Sequence, residues 1–347
     1  MNIVEVEKIG SVVSRQGFGR SIHVVTKLLT PRVGDIVAVR ALSESVTYGN
    51  LELPSGRLAK IVTGDVLLGA LGKRRALKGF VGEVPNTIQA GDRLHLLNMG
   101  GVIGVCKGHH SSFSDAIEVE VEGVACDAEG NILNIGDGAL PAAESLAKSA
   151  PLVVIAGTCM NSGKTVAATE IIKQAANAGL RVAGAKLSGI ACLRDTLHMQ
   201  DNGAFVTASF LDCGLPSTVD HDDLATVAKS ILNHLNSFEP ELIVVELGDG
   251  IVGGYSVDVV LKDGEIRDAI SSFVFCASDY VGVVGGAAVL GDLGIKIDVV
   301  AGSVTDSQMG EDYITEHYGF PAGNARRNGK RLFDLVHSRS REVVAAK

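Results

Sequence analysis

The stretch PLVVIAGTCMNSGKTV, residues 151–166, decides how this chain is read. PLVVIA is an apolar run of strand length, GTCMNSGKT is a loop, and residues 164–178 have helical spacing that Gly179 stops. Strand, glycine-containing loop and helix in that order make a P-loop. Successive backbone N–H groups of such a loop face phosphate oxygens, and the helix N-terminus adds the positive end of its dipole. On this reading Gly157, Thr158, Asn161, Ser162, Gly163, Lys164, Thr165 and Val166 hold the phosphates. Lys164 reaches the β and γ phosphates, and the Thr165 hydroxyl ligates Mg²⁺. The spacing departs from the common pattern: Thr158 stands at the usual first glycine, and Gly157 lies one residue earlier.

Downstream, apolar strand candidates alternate with helical stretches. The candidates are residues 152–156, 181–186, 242–246, 281–284 and 299–301, with a helix over 222–236 that has Asp220 or His221 near its cap. Five strands alternating with helices imply a parallel sheet covered by helices. Upstream the pattern changes. Gly34-Asp35 precedes IVAVRAL, Gly64-Asp65 precedes VLLGAL and Gly91-Asp92 precedes RLHLL, each a turn leading into a short strand. Residues 21–26, 58–62, 102–106 and 117–124 add further strands, and the spacing suits a small barrel or sandwich. The expected fold is therefore α/β: a parallel-sheet P-loop NTPase domain over 143–347, with a smaller N-terminal all-β, barrel-like domain over 1–142.

The net charge of −9 argues against a nucleic-acid partner, which needs a basic field. Two basic clusters, Lys73, Arg74, Arg75 and Lys78, and Arg326, Arg327, Lys330 and Arg331, read as solvated faces. The six cysteines form no C-x-x-C pair and no regular framework, so no zinc site or disulfide scaffold is expected. The charged N-terminus lacks the apolar run of a signal peptide, and no stretch reaches the ~20 apolar residues of a membrane span. A reduced, cytoplasmic protein without a membrane partner is expected. His109-His110 reads as part of a loop, His198 as facing solvent or core, and no G-x-S-x-G elbow is present. Cys159, beside a helix N-terminus, reads as a small residue tolerated in a tight loop rather than as a reactive thiol.

Three further segments carry a family resemblance. VAGAKLSG (182–189), RDTLHMQ (194–200) and VVELGDG (244–250) follow the P-loop in order. Together with Gly-Thr, four variable residues and Gly-Lys-Thr, they resemble the dethiobiotin synthetase family over about residues 151–310. The resemblance implies ATP and Mg²⁺, with Thr165, Asp195 and Glu246 as metal ligands and Lys164 and Lys186 flanking the transferring phosphoryl group. Lys164, Lys186 and Glu246 would be catalytic, and a homodimer is implied. Asp195 also reads as a helix N-cap ahead of Thr196, and Asp249 reads equally as a second candidate for the metal or for water activation and as a turn residue. The chain departs from the family between Gly157 and Gly163, where Cys159, Met160, Asn161 and Ser162 carry no charge, which implies a different substrate. Residues 301–306 lack the Asn with which the family reads adenine, and no Asn-Lys-x-Asp guanine signature occurs. Cys159 stands where a related ATPase class has a signature Lys. The leading expectation is an ATP-dependent enzyme that phosphorylates or activates a small molecule, such as a carboxylate or carbamate. The alternative is a nucleotide-dependent switch or assembly factor that grips a protein partner through the β domain; a nucleotide sensor without turnover is a third, weaker one.

Overall fold

The computed structural model describes residues 2–346. They form two compact units: one runs up to Leu140 and takes in Ile190–Arg194 and Phe210–Val219; the other comprises Pro141–Gly189, Asp195–Ser209 and the chain from Asp220 onward.

The first unit is built on a closed ring of five strands. Ile36–Ala41 pairs with Val66–Leu71, which pairs with Val102–His109, then Arg93–Leu96, then Glu118–Ala125, which returns to Ile36–Ala41. Only the second of these contacts is parallel. Closure removes the exposed edges that an open sheet leaves. Alternate residues point inward, so Val37, Val39, Leu67, Leu71, Leu94, Leu96, Val119 and Val121 share one buried cluster. Strands Asn2–Glu5, Ser21–Val25, Arg74–Arg75 and Phe80–Glu83 extend the sheet beyond the ring.

The three Gly-Asp dipeptides form the same turn. Asp35, Asp65 and Asp92 each accept a side-chain hydrogen bond from the backbone N–H three residues earlier, at Arg32, Val62 and Gln89. The preceding glycines have φ of 86°, 97° and 88°, a region that favours glycine. One short local motif thus encodes a recurring entry into a strand.

The second unit is a six-stranded, fully parallel sheet with P-loop NTPase architecture. In chain order it contains β1 (Leu152–Gly157), α1 (Lys164–Asn177), β2 (Val182–Ser188), α2 (Arg194–Asp201) and β3 (Val206–Ser209). There follow α3 (Leu224–Asn236), β4 (Leu242–Leu247), α4 (Val257–Lys262), α5 (Gly264–Ala269), β5 (Ile270–Cys276), α6 (Tyr280–Asp292), β6 (Val299–Ala301), α7 (Gln308–Tyr318) and α8 (Ala325–Ala346). The sheet order is β3-β2-β4-β1-β5-β6. Ile155, Ile171, Val244, Val274 and Leu332 join one core between the sheet and the helices.

Several expectations are corrected here. Residues 281–284 lie in α6, not in a strand. Asp279 accepts a hydrogen bond from Gly282 N–H and starts a helix there, overriding the β preference of the valines. The strand beside β1 is β5, whose Ser271-Ser272 pair interrupts its apolar pattern. With β3 added, the sheet has six strands rather than five. Helix α3 starts at Leu224 with Asp223, rather than Asp220 or His221, at the N-cap position, where no side-chain cap hydrogen bond is made.

Candidate nucleotide-binding site

The P-loop lies between β1 and α1. Gly157 ends the strand, and its carbonyl accepts from Ile251 N–H at 2.9 Å. A Cβ there would lie 2.5 Å from the Cys276 carbonyl oxygen and 2.6 Å from Ser162 Oγ, so the position requires glycine. Asn161 (φ 65°) and Gly163 (φ 100°) take left-handed conformations that curl the loop over the start of α1. Thr158 N–H bonds to Cys276 O at 3.0 Å, tying the loop to the end of β5.

The parallel sheet brings the carboxyl ends of β1, β2 and β4 side by side, the place where open α/β sheets bind ligands. Glu246, near the end of β4, is 1% exposed. Its Oε1 accepts from Thr165 Oγ1 at 2.9 Å and from Lys186 Nζ at 2.8 Å. Lys186, on β2, also pairs with Asp195 Oδ2 at 2.7 Å. Asp195 lies in the first turn of α2, which begins at Arg194, and its carboxylate serves this ion pair. Thr165, Lys186, Asp195 and Glu246 therefore form one connected group, and Lys164 adjoins it through the charge of Glu246.

Burial lowers the pKa of Lys164, against the pull of Glu246. Its ammonium donates to the Cys159 carbonyl of its own loop at 2.7 Å. Burial acts in the same direction on Lys186, but the Asp195 and Glu246 carboxylates outweigh it and hold its pKa above the ordinary value. Asp249 (φ 64°) sits between two glycines whose Cβ positions would meet the Ser188 and Thr158 carbonyl oxygens at 2.2 and 2.4 Å. That close approach places Asp249 within electrostatic reach of Lys164.

Two buried polar atoms at this end of the sheet have no hydrogen-bond partner, Glu246 Oε2 and Ser162 Oγ. Such atoms are costly unless something satisfies them. Among the described residues no group of three or more His, Cys, Asp or Glu side chains forms a self-contained metal cage. Mg²⁺ does not need one; it is held by one or two carboxylates together with phosphate oxygens and waters. Thr165, Asp195 and the free oxygen of Glu246 fit that demand.

Other predicted features fall elsewhere. His198 is exposed on α2. His109 Nε2 lies 3.0 Å from Asp115 Oδ1, and His110 Nδ1 lies 2.7 Å from Ser112 Oγ. In the first basic cluster Arg74 is 3% exposed, against the expected solvated face. Its guanidinium donates to the Leu97 carbonyl and to Tyr48 Oη and lies 4.7 Å from the Tyr48 ring centroid. In the second cluster Arg327 and Arg331 both pair with the buried Glu311. A cavity of about 850 Å³ opens at the opposite, amino end of the sheet, beside Pro151, Pro240 and Ser271, and is lined by none of the predicted site residues. No helix among the described residues is long and apolar enough to cross a membrane.

No protein-family model matches the chain, and no curated protein matches it. Solved structures resemble it at low identity. The signal recognition particle receptor FtsY from Elizabethkingia anophelis is 14% identical with a TM-score of 0.37, over 59% of this chain and 74% of that one. The signal recognition particle 54 kDa protein from Aeropyrum pernix, in complex with GDP, is 16% identical with a TM-score of 0.37, over 61% and 53%. A DUF1611 family protein from Anabaena variabilis is 12% identical with a TM-score of 0.43, over 61% and 66%.

Proposed function

We propose that this protein is a Mg²⁺-dependent nucleoside triphosphatase that transfers a phosphoryl group to a small-molecule acceptor, chemistry of the dethiobiotin synthetase kind on a different substrate. The observation that carries the reading is the buried group Thr165–Glu246–Lys186–Asp195 beside a P-loop, with Glu246 Oε2 unsatisfied. Loop amides 158–163 and the amino end of α1 bind the triphosphate. Thr165, Asp195 and Glu246 hold Mg²⁺, which would neutralise charge building on the phosphate oxygens. Lys164 leaves the Cys159 carbonyl for the phosphate, and Lys186, held between the Asp195 and Glu246 carboxylates, supplies a second fixed cation. Positioning and electrostatics are the main protein contributions that phosphoryl transfer needs. The uncharged loop segment Cys159–Met160–Asn161–Ser162 implies an acceptor without the amino groups of the resembled family's substrate.

Nucleoside diphosphate release from the triphosphate, with and without a panel of small carboxylic acids as acceptors, tests this reading. Lys164→Ala should lower Mg²⁺-dependent turnover by about 100-fold or more, the scale of losing a preorganised charge at the transferring group. An unchanged rate in that variant would place the activity elsewhere.

The second reading, a nucleotide-dependent switch or assembly factor acting on a protein through the β unit, has one observation in its favour. Ile190–Arg194 belongs to the β unit, so a single peptide bond separates that unit from Asp195. Binding of a protein partner that differs between di- and triphosphate states, without any small acceptor, would favour the switch.

A further inference from the structure

We infer that the nucleotide base is guanine and that Asp306 reads it; this rests on the phosphate site proposed above. The loop after β6 runs against the P-loop. Gly302 has φ of 91°, and a Cβ there would lie 2.2 Å from the Ser162 carbonyl oxygen. Between them a narrow groove is lined by Asn161, Gly163, Gly302, Asp306, Asn324 and Arg326. Its volume is about 50 Å³, enough for the edge of a base and not for a whole one.

Asn324 is buried and cannot read that edge, because its hydrogen bonds are already made. Its Nδ2 donates to Thr305 Oγ1 at 3.1 Å and to Asp306 Oδ1 at 2.9 Å. Its Oδ1 accepts from Arg326 and Arg327 N–H at 2.9 and 2.8 Å. What Asn324 does is hold the Asp306 carboxylate in one orientation. Asp306 is exposed, and its Oδ2 makes no hydrogen bond among the described residues.

An ionised carboxylate only accepts hydrogen bonds. Guanine offers two adjacent donors on one edge, N1–H and the 2-amino group, which match the two oxygens. Adenine offers one amino donor beside the N1 lone pair, which faces a carboxylate with repulsion. The exposed Arg326 adds a planar cation at the groove, suited to stacking on a purine face. A site built to pair a donor edge rejects the analogue that lacks it, because its polar groups are then left unpaired. This replaces the adenine expected from the family resemblance.

Calorimetric titration of Mg²⁺-GTP, Mg²⁺-ATP and Mg²⁺-XTP into the full chain and into Asp306→Asn tests the inference. The wild type should bind GTP at least tenfold more tightly than ATP. Asp306→Asn should lose at least tenfold in GTP affinity and gain affinity for XTP, whose 2-oxo acceptor faces the new amide N–H. A gain cannot arise from misfolding. ATP bound as tightly as GTP, and lost in Lys164→Ala, would overturn the guanine assignment and leave the phosphate site standing. An Asp306→Asn variant with unchanged preference would remove Asp306 from the role, and a wild type that binds none of the three would overturn both readings.

Discussion

Lys186 stands between two carboxylates, and its removal would take from Asp195 and Glu246 the ammonium they share. Breaking a buried pair in this way costs about 3–5 kcal/mol. Lys186→Met should lower the urea midpoint accordingly, and millimolar Mg²⁺ should recover part of the loss, since a cation bound only by the folded state stabilises it. If added Mg²⁺ left the variant's midpoint where it was, the carboxylates would not be a Mg²⁺ site. The P-loop could be read from its local motif, whereas Lys186, Asp195 and Glu246 came from the family resemblance; the structure brings them together with Thr165. The satisfied state of Asn324 was not legible. It depends on Thr305, Asp306 and two backbone amides brought together by the turn into α8.

Among the elements, β1, α1, β2 and β4 could be read because apolar strand runs are followed by glycine or helical spacing. Helix α6 could not, since YVGVVGGAAVLGD is apolar on every face and rich in valine and glycine. Its conformation is set by the Asp279 cap and by packing. Gly286 lies against Phe275 of β5, where a Cβ would be 2.2 Å from ring carbons, while Gly285 beside it meets nothing within 4 Å. Neighbouring substitutions should therefore have opposite signs. Gly286→Ala should destabilise the unit by about 1–3 kcal/mol through overpacking. Gly285→Ala should stabilise it by up to about 1 kcal/mol through helix propensity. Thermal unfolding of the two variants decides the matter, and a shift in the same direction for both would refute the packing argument.

Across the whole molecule, the change of periodicity near residue 142 was visible, but the chain's two returns to the β unit were not. The segments 190–194 and 210–219 look like ordinary loops of an α/β fold. Within the β unit they satisfy buried groups: Leu193 N–H donates to Glu52 Oε2 at 2.7 Å, Cys192 Sγ to Glu52 Oε1 at 3.1 Å, and Asn98 Nδ2 to the Ala191 carbonyl at 2.8 Å. Arg15 pairs with Asp212. A fragment ending at residue 142 would strip Glu52 of its Cys192 and Leu193 partners and leave it Ser11. It should unfold at markedly lower temperature than the β unit in the full chain, or aggregate; a fragment with the parent's thermal midpoint and amide protection would contradict this. The same threading bears on ancestry. A barrel stitched to its neighbour at several points along the gene cannot be gained, lost or exchanged by one recombination event. Shuffling libraries built on a single crossover point near residue 142 should therefore yield few folded chimeras.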